Sequence, residues 1–187
     1  MNLFTDSKLV YEGRKSLLSE LEIRQLLEIT GDKINSFIQF YQTYDGVFFP
    51  KQAMMFRHLF YSVEKADWDK IEIGFFLKIE DIITNRKLLL EEDKELECFV
   101  KTHMEEEDKE LECFVKTHME EEDKELECFV KTHIPFADDG CGNDVWIEIS
   151  TGIIKAFYHE YSIEEGLIEI APNFNDFCSS LENWTLK

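Results

Sequence analysis

The apolar positions of the chain first spell helices. Ser19 with Glu22 three residues on has the spacing of a capping box, in which the two side chains satisfy each other's orphan backbone N–H groups. Leu21, Leu26, Leu27 and Ile29 supply apolar positions behind that cap, and Gly31 can close the helix in the left-handed conformation. Asn35 is a second cap, followed by the strongly apolar Phe37, Ile38, Phe40, Tyr41 and Tyr44 and an Asp45-Gly46 turn. Val47-Phe48-Phe49 begins a strand that Pro50 interrupts, because proline cannot donate to a ladder. Ile71, Ile73, Phe75 and Leu77 alternate around Gly74 with the period of a strand, and Glu80 to Leu90 reads as a helix.

Toward the C-terminus the pattern becomes β. Ile134 to Ala137 is short and apolar, and Asp138 to Asn143 is turn chemistry. Val145, Ile147 and Ile149 alternate with Trp146 and Glu148, Thr151-Gly152 makes a tight turn, and Ile153 to His159 pairs back as a hairpin. Pro172-Asn173 opens a last helix with Phe174, Phe177, Cys178 and Leu181 on one face. Helices, then a meandering sheet, then a closing helix predict an α+β fold.

Between the two halves one segment is written three times. Glu91 to His103 reads EEDKELECFVKTH, and the same thirteen letters return at Glu106 to His118 and Glu121 to His133, a period of fifteen residues. Perfect identity points to a recent in-frame duplication, so 91–120 is read as a duplicated insertion within a single domain spanning 1–187. Helical spacing puts Leu96, Phe99, Val100 and His103 or Met104 on one stripe. Strand alternation instead puts Leu96, Cys98, Val100 and Thr102 on one face. The helical reading is preferred and the strand reading stays open. As helix, thirty extra residues add about 45 Å, beyond the roughly 40 Å width of such a domain, so they must fold back, self-associate or fray.

Charge narrows the function. The net charge is −20, and each extra copy carries a net of −4, so the basal chain without two copies holds −12. Such a surface argues against direct binding of nucleic acid or anionic membrane, and its natural complement is a basic protein. Acidity that serves only solubility is the competing account. With 44% hydrophobic residues, 16 of them Phe, a real core is expected. The N-terminal residues lack a basic segment followed by an apolar run, and no stretch approaches the ~20 apolar residues of a membrane span. A cytoplasmic protein with five reduced cysteines is expected.

The candidate chemistry is thin. Cys98, Cys113 and Cys128 with His103, His118 and His133 are one Cys and one His copied three times, without zinc-site spacing. Calcium-loop registers starting at Asp138 or Asp139 lack the glycine at position six and the bidentate Glu at twelve. Gly140-x-Gly142 opens a strand and has no following Lys-Ser/Thr, unlike a phosphate loop. Cys141 with His159 has no identifiable orienting residue or oxyanion device, so a thiol nucleophile is not expected. No metal, cofactor or catalytic residue is expected, and the chain reads as a non-enzyme.

Taken in order, these elements resemble the SUKH superfamily, which includes a fungal cell-wall-synthesis regulator and many bacterial immunity proteins. The resemblance rests on several segments: the acidic opening helix Ser19 to Thr30, the aromatic helix Phe37 to Gly46 and the strand Ile134 to Ala137. It continues through the turn Asp139 to Asn143, Val145 to Ser150, Thr151-Gly152, Ile153 to Glu160 and Asn173 to Phe177. Ile34-Asn35 stands where the family has Leu-Pro. The resemblance implies a mixed or antiparallel sheet flanked by helices and no catalytic set. It also implies an immunity protein that binds and neutralises a cognate protein toxin, or alternatively a scaffold or regulatory interaction domain. The surface that suits such a partner is Asp138, Asp139, Asp144, Glu148 and Glu160 for steering, with Trp146, Tyr158 and Tyr161 as aromatic anchors. Alternation sets Trp146 and Glu148 opposite Val145, Ile147 and Ile149. Trp146 then faces either a partner or a second covering helix.

Overall fold

The structure is a computed structural model that describes residues 3–6, 8–63, 68–90 and 124–184. The first two repeat copies and the opening of the third lie outside the described residues.

Chain order begins with β1 (Glu12–Lys15), α1 (Glu20–Leu26), α2 (Asn35–Thr43), β2 (Tyr44–Phe56) and β3 (Lys70–Phe76). Helices α3 over 79–90 and α4 over 124–132 follow. The remainder is β4 (His133–Asp138), β5 (Asp144–Glu148), β6 (Ile154–Phe157), α5 (Ile163–Gly166), β7 (Leu167–Ala171), α6 (Phe174–Ser180) and β8 (Glu182–Asn183). All strand pairs are antiparallel, in the order β1-β2-β3-β4-β5-β6-β7, with β8 added to β2. This is an α+β fold on a meander.

Local chemistry explains several of the elements. The Ser19–Glu22 capping box forms in both directions. The Asn173 side chain accepts from the Asp176 N–H at 3.0 Å and starts α6. Gly152, at φ 81°, turns between β5 and β6, and an added Cβ there would press on the Lys33 carbonyl at 3.1 Å.

Three expectations are corrected. α1 closes at Leu27, with Glu28 at φ 57°, before Gly31 is reached. Its buried stripe is Ile23 and Leu27, while Leu21 and Leu26 face solvent. Asp45-Gly46 makes no separate turn, because α2 runs straight into β2. The Asp45 carboxylate instead accepts the Ile79 N–H at 3.0 Å, at the start of α3. Pro50 does not end β2, for it falls inside a register shift between Phe48 and Ala53, where a missing donor is tolerated.

Two apolar clusters sit on the sheet. The larger joins Ile23, Leu27, Phe37, Phe40 and Tyr41 to Phe76, Phe136, Ile147 and Ile170, and the α6 residues Phe174 and Phe177. Its rings meet mainly edge to face, as between Phe37 and Phe174 at 5.3 Å and Phe136 and Phe177 at 5.5 Å. The smaller lies under α4 and joins Phe129, Val130, Trp146 and Phe157, with Leu89, Leu90, Leu126, Ile163 and Leu167 around it. In the third repeat copy α4 buries Phe129 and Val130 and half-buries Leu126, so that copy is helical over 124–132, and His133 opens β4.

Candidate functional site

The five-residue connection 139–143 between β4 and β5 is held by the carboxylates of Asp138 and Asp139. Asp138 Oδ1 accepts the Gly140 N–H. Asp139 Oδ1 accepts from the Cys141 and Asn143 N–H groups at 2.6 and 3.1 Å, and its Oδ2 accepts from the Asn143 amide at 2.7 Å. Gly140 and Gly142 take φ of 80° and 101°, which side chains rarely adopt. The turn is a backbone device in which acids tie down N–H groups.

The same geometry gathers negative charge. Burial raises the Asp138 pKa, and Asp144 and Asp139 add to the rise against the opposing Gly140 N–H and His159. His159 lies over Asp144 with Nε2 to Oδ2 at 2.8 Å, and this contact holds its pKa above the usual histidine value. His159 is thus engaged by a carboxylate and not by Cys141. Burial, reinforced by Asp139, pushes the Tyr158 phenol up. Tyr158 stacks on Trp68 at 5.9 Å and 11°, and Tyr161 meets the same indole edge-on at 5.9 Å. A cavity of about 170 Å³ opens between the overhanging β3, at Lys70 and Glu72, and Asp139, Asn143, Asp144 and Tyr158.

The structure brings Asp138, Asp139, Asp144, Tyr158 and Tyr161 to one end of the sheet, and Glu160 is exposed on the adjoining turn. It buries one of the sequence candidates and pairs another internally. Trp146 is 1% exposed, packed on Phe129 at 4.7 Å, so the second covering helix is the correct reading for this ring. The part-exposed Glu148 carboxylate is ion-paired with Lys155 at 2.8 Å and accepts the Ser150 hydroxyl at 2.8 Å. Beside it, His133 is buried with Nδ1 3.1 Å from the Phe129 carbonyl and Nε2 3.1 Å from Lys155 Nζ. A carbonyl can only accept and an ammonium only donate, so the proton sits on Nδ1 and the ring is neutral.

Sequence reasoning missed Phe48 and Phe75. Register lines up Glu12, Phe48, Phe75, Asp138, Asp144, Phe157 and Leu167 across successive strands. Directly opposed residues project to one face. Along that row the cover of α4 ends after Phe157. Asp144, Asp138 and Phe75 are half-buried, and Phe48 is 52% exposed. The signal was present in the adjacent Phe48-Phe49, since neighbours on a strand must face opposite sides and only one could join the core.

Among the described residues no group of three or more His, Cys, Asp or Glu is placed to hold a metal ion. Among them, too, no helix is long and apolar enough to cross a membrane. The molecule is an α+β protein with an antiparallel meander, helices on both faces and an acidic corner at one end. A family model matches residues 34–180, well over half of the chain, and the chain belongs to the SMI1 / KNR4 family (SUKH-1). Comparison with curated proteins found no match.

Proposed function

We propose that this chain is an immunity protein, which binds a cognate bacterial protein toxin in the cytoplasm and neutralises it by occupancy, without catalysis. The observation that carries the reading is the acidic corner. Asp138, Asp139 and Asp144 converge beside Tyr158 and Tyr161 on a chain of SUKH-1 membership and net charge −20. An acidic protein steers basic partners, and aromatic groups at a rim supply packing once the encounter is made. The toxin is accordingly basic.

The test is co-expression with the toxin encoded beside the gene. The two proteins are expected to purify together at a fixed ratio, and growth in the presence of the toxin is expected to recover. A toxin that remains lethal and does not associate with this chain at micromolar concentrations ends the proposal.

A further inference from the structure

The burial of Trp146 leaves the acidic corner without the aromatic anchor that the sequence offered on its own strand. The row that crosses the sheet supplies another. Phe48 and Phe75 are directly paired on β2 and β3, and Phe75 is in turn paired with Asp138 and through it with Asp144. By register Phe48 and Phe75 stand in line with two carboxylates, beyond the end of α4's cover, with Phe48 exposed and Phe75 half-buried against the larger core. A cavity of about 290 Å³ opens at Phe48 and Phe75, walled also by Glu12, Arg14, Lys78 and Asp81. A half-exposed Phe in mid-strand leaves apolar area in water that burial would reward.

Three occupants can be compared by charge. An extra repeat copy offers an apolar stripe but carries a net of −4, and a second molecule of this chain carries −20. Both bring like charge to a strip where Glu12, Asp81, Asp138 and Asp144 outnumber the cations Arg14 and Lys78. A basic segment with an apolar side chain satisfies the phenyl pair and the carboxylates together. We infer that the strip of sheet at Phe48 and Phe75, which no described helix covers, is the docking face for the toxin, receiving a segment that presents one apolar side chain between lysines or arginines. The inference rests on the immunity reading and names the surface and chemistry it uses.

The probe is the toxin domain encoded beside the gene, purified in a catalytically inactive form. Its affinity is measured for the full chain, for Phe48→Thr and for Leu21→Thr. Threonine keeps strand propensity at 48, and Leu21 is an exposed apolar residue on α1, away from this strip. Phe48→Thr is expected to weaken binding about tenfold or more, the loss typical of an anchor, and Leu21→Thr to leave it within about twofold. Hydrogen exchange on the unmodified chain is expected to show toxin-dependent protection of residues 47–49 and 74–76, which decides the matter even if Phe48→Thr does not fold. Unchanged affinity of a folded Phe48→Thr, or exchange unaltered over those residues in a formed complex, overturns the docking face and leaves the immunity reading standing. A toxin domain that does not bind the unmodified chain sinks both.

Discussion

His133 is the residue whose protonation the fold opposes most clearly. Burial is the largest cause, the Lys155 ammonium adds to it, and together they hold its pKa down to about 4, against the smaller opposing pull of the Phe129 carbonyl and Glu148. The unfolded chain binds this proton first, near pH 6.5. Stability contributed by the neutral ring is therefore full above about pH 6.5 and is lost as pH falls toward 4. This lowering, discounted for partial solvent access, is worth on the order of 2 kcal/mol. Glu148, lowered by Lys155 and Ser150 against its own burial, has the same sign at lower pH. His159 has the opposite sign, because its raised pKa lends stability at low pH that fades as pH rises through the folded value. Urea unfolding at pH 7 and pH 4.5 should show the wild-type loss, and His133→Gln should flatten it. A wild-type free energy that is level across that interval contradicts the tautomer and contacts assigned to His133.

At the level of elements, those legible in the sequence were those fixed by short-range chemistry. Ser19 with Glu22, Asn173, Gly152 and the acidic turn at 138–143 each contain their own instructions, and each forms as read. Elements whose form depends on distant partners were not legible. β1 is exposed at all four positions, so no alternation announces it, and it exists because β2 offers an edge. The face of the two-turn α1 is chosen by its packing on α2 and the core, which bury Ile23 and leave Leu21 out. Asp45 looked like a turn residue because its use at Ile79 is set by tertiary structure. Trp146 had two readings until α4 was in place above it. The third repeat copy supplies α4 and runs directly into β4, and deletion of 91–120 joins Leu90 to Glu121 with the original local sequence restored. The 157-residue variant should keep its fold and melt within a few degrees of the full chain, since insertions at exposed sites act mainly through loop entropy. A collapse of the melting temperature would assign the extra copies a structural duty.

Over the whole molecule, charge and packing divide recognition between them. The formal charge of −20 is a property of the whole chain, whereas the acidic corner and the phenyl strip occupy one end of the sheet. A diffuse field acts on the approach of a partner, and its reach is the Debye length, roughly 30 Å in 10 mM salt and 8 Å in physiological salt. Contacts at Phe48 or Asp144 act after arrival. Raising salt from about 20 to 300 mM should therefore slow association with a basic toxin by roughly tenfold or more while dissociation changes little. The 91–120 deletion separates the contributions further. It moves the charge to −12 and leaves the described corner intact, so its association rate should fall at low salt and converge on that of the full chain at high salt. Stopped-flow association at several salt concentrations measures both effects. If the two chains associate at the same rate in 20 mM salt, the repeats contribute nothing to steering and their acidity serves solubility alone. If salt instead accelerates dissociation, the carboxylates are bound in the interface itself, and Asp138 and Asp144 become the residues to replace next.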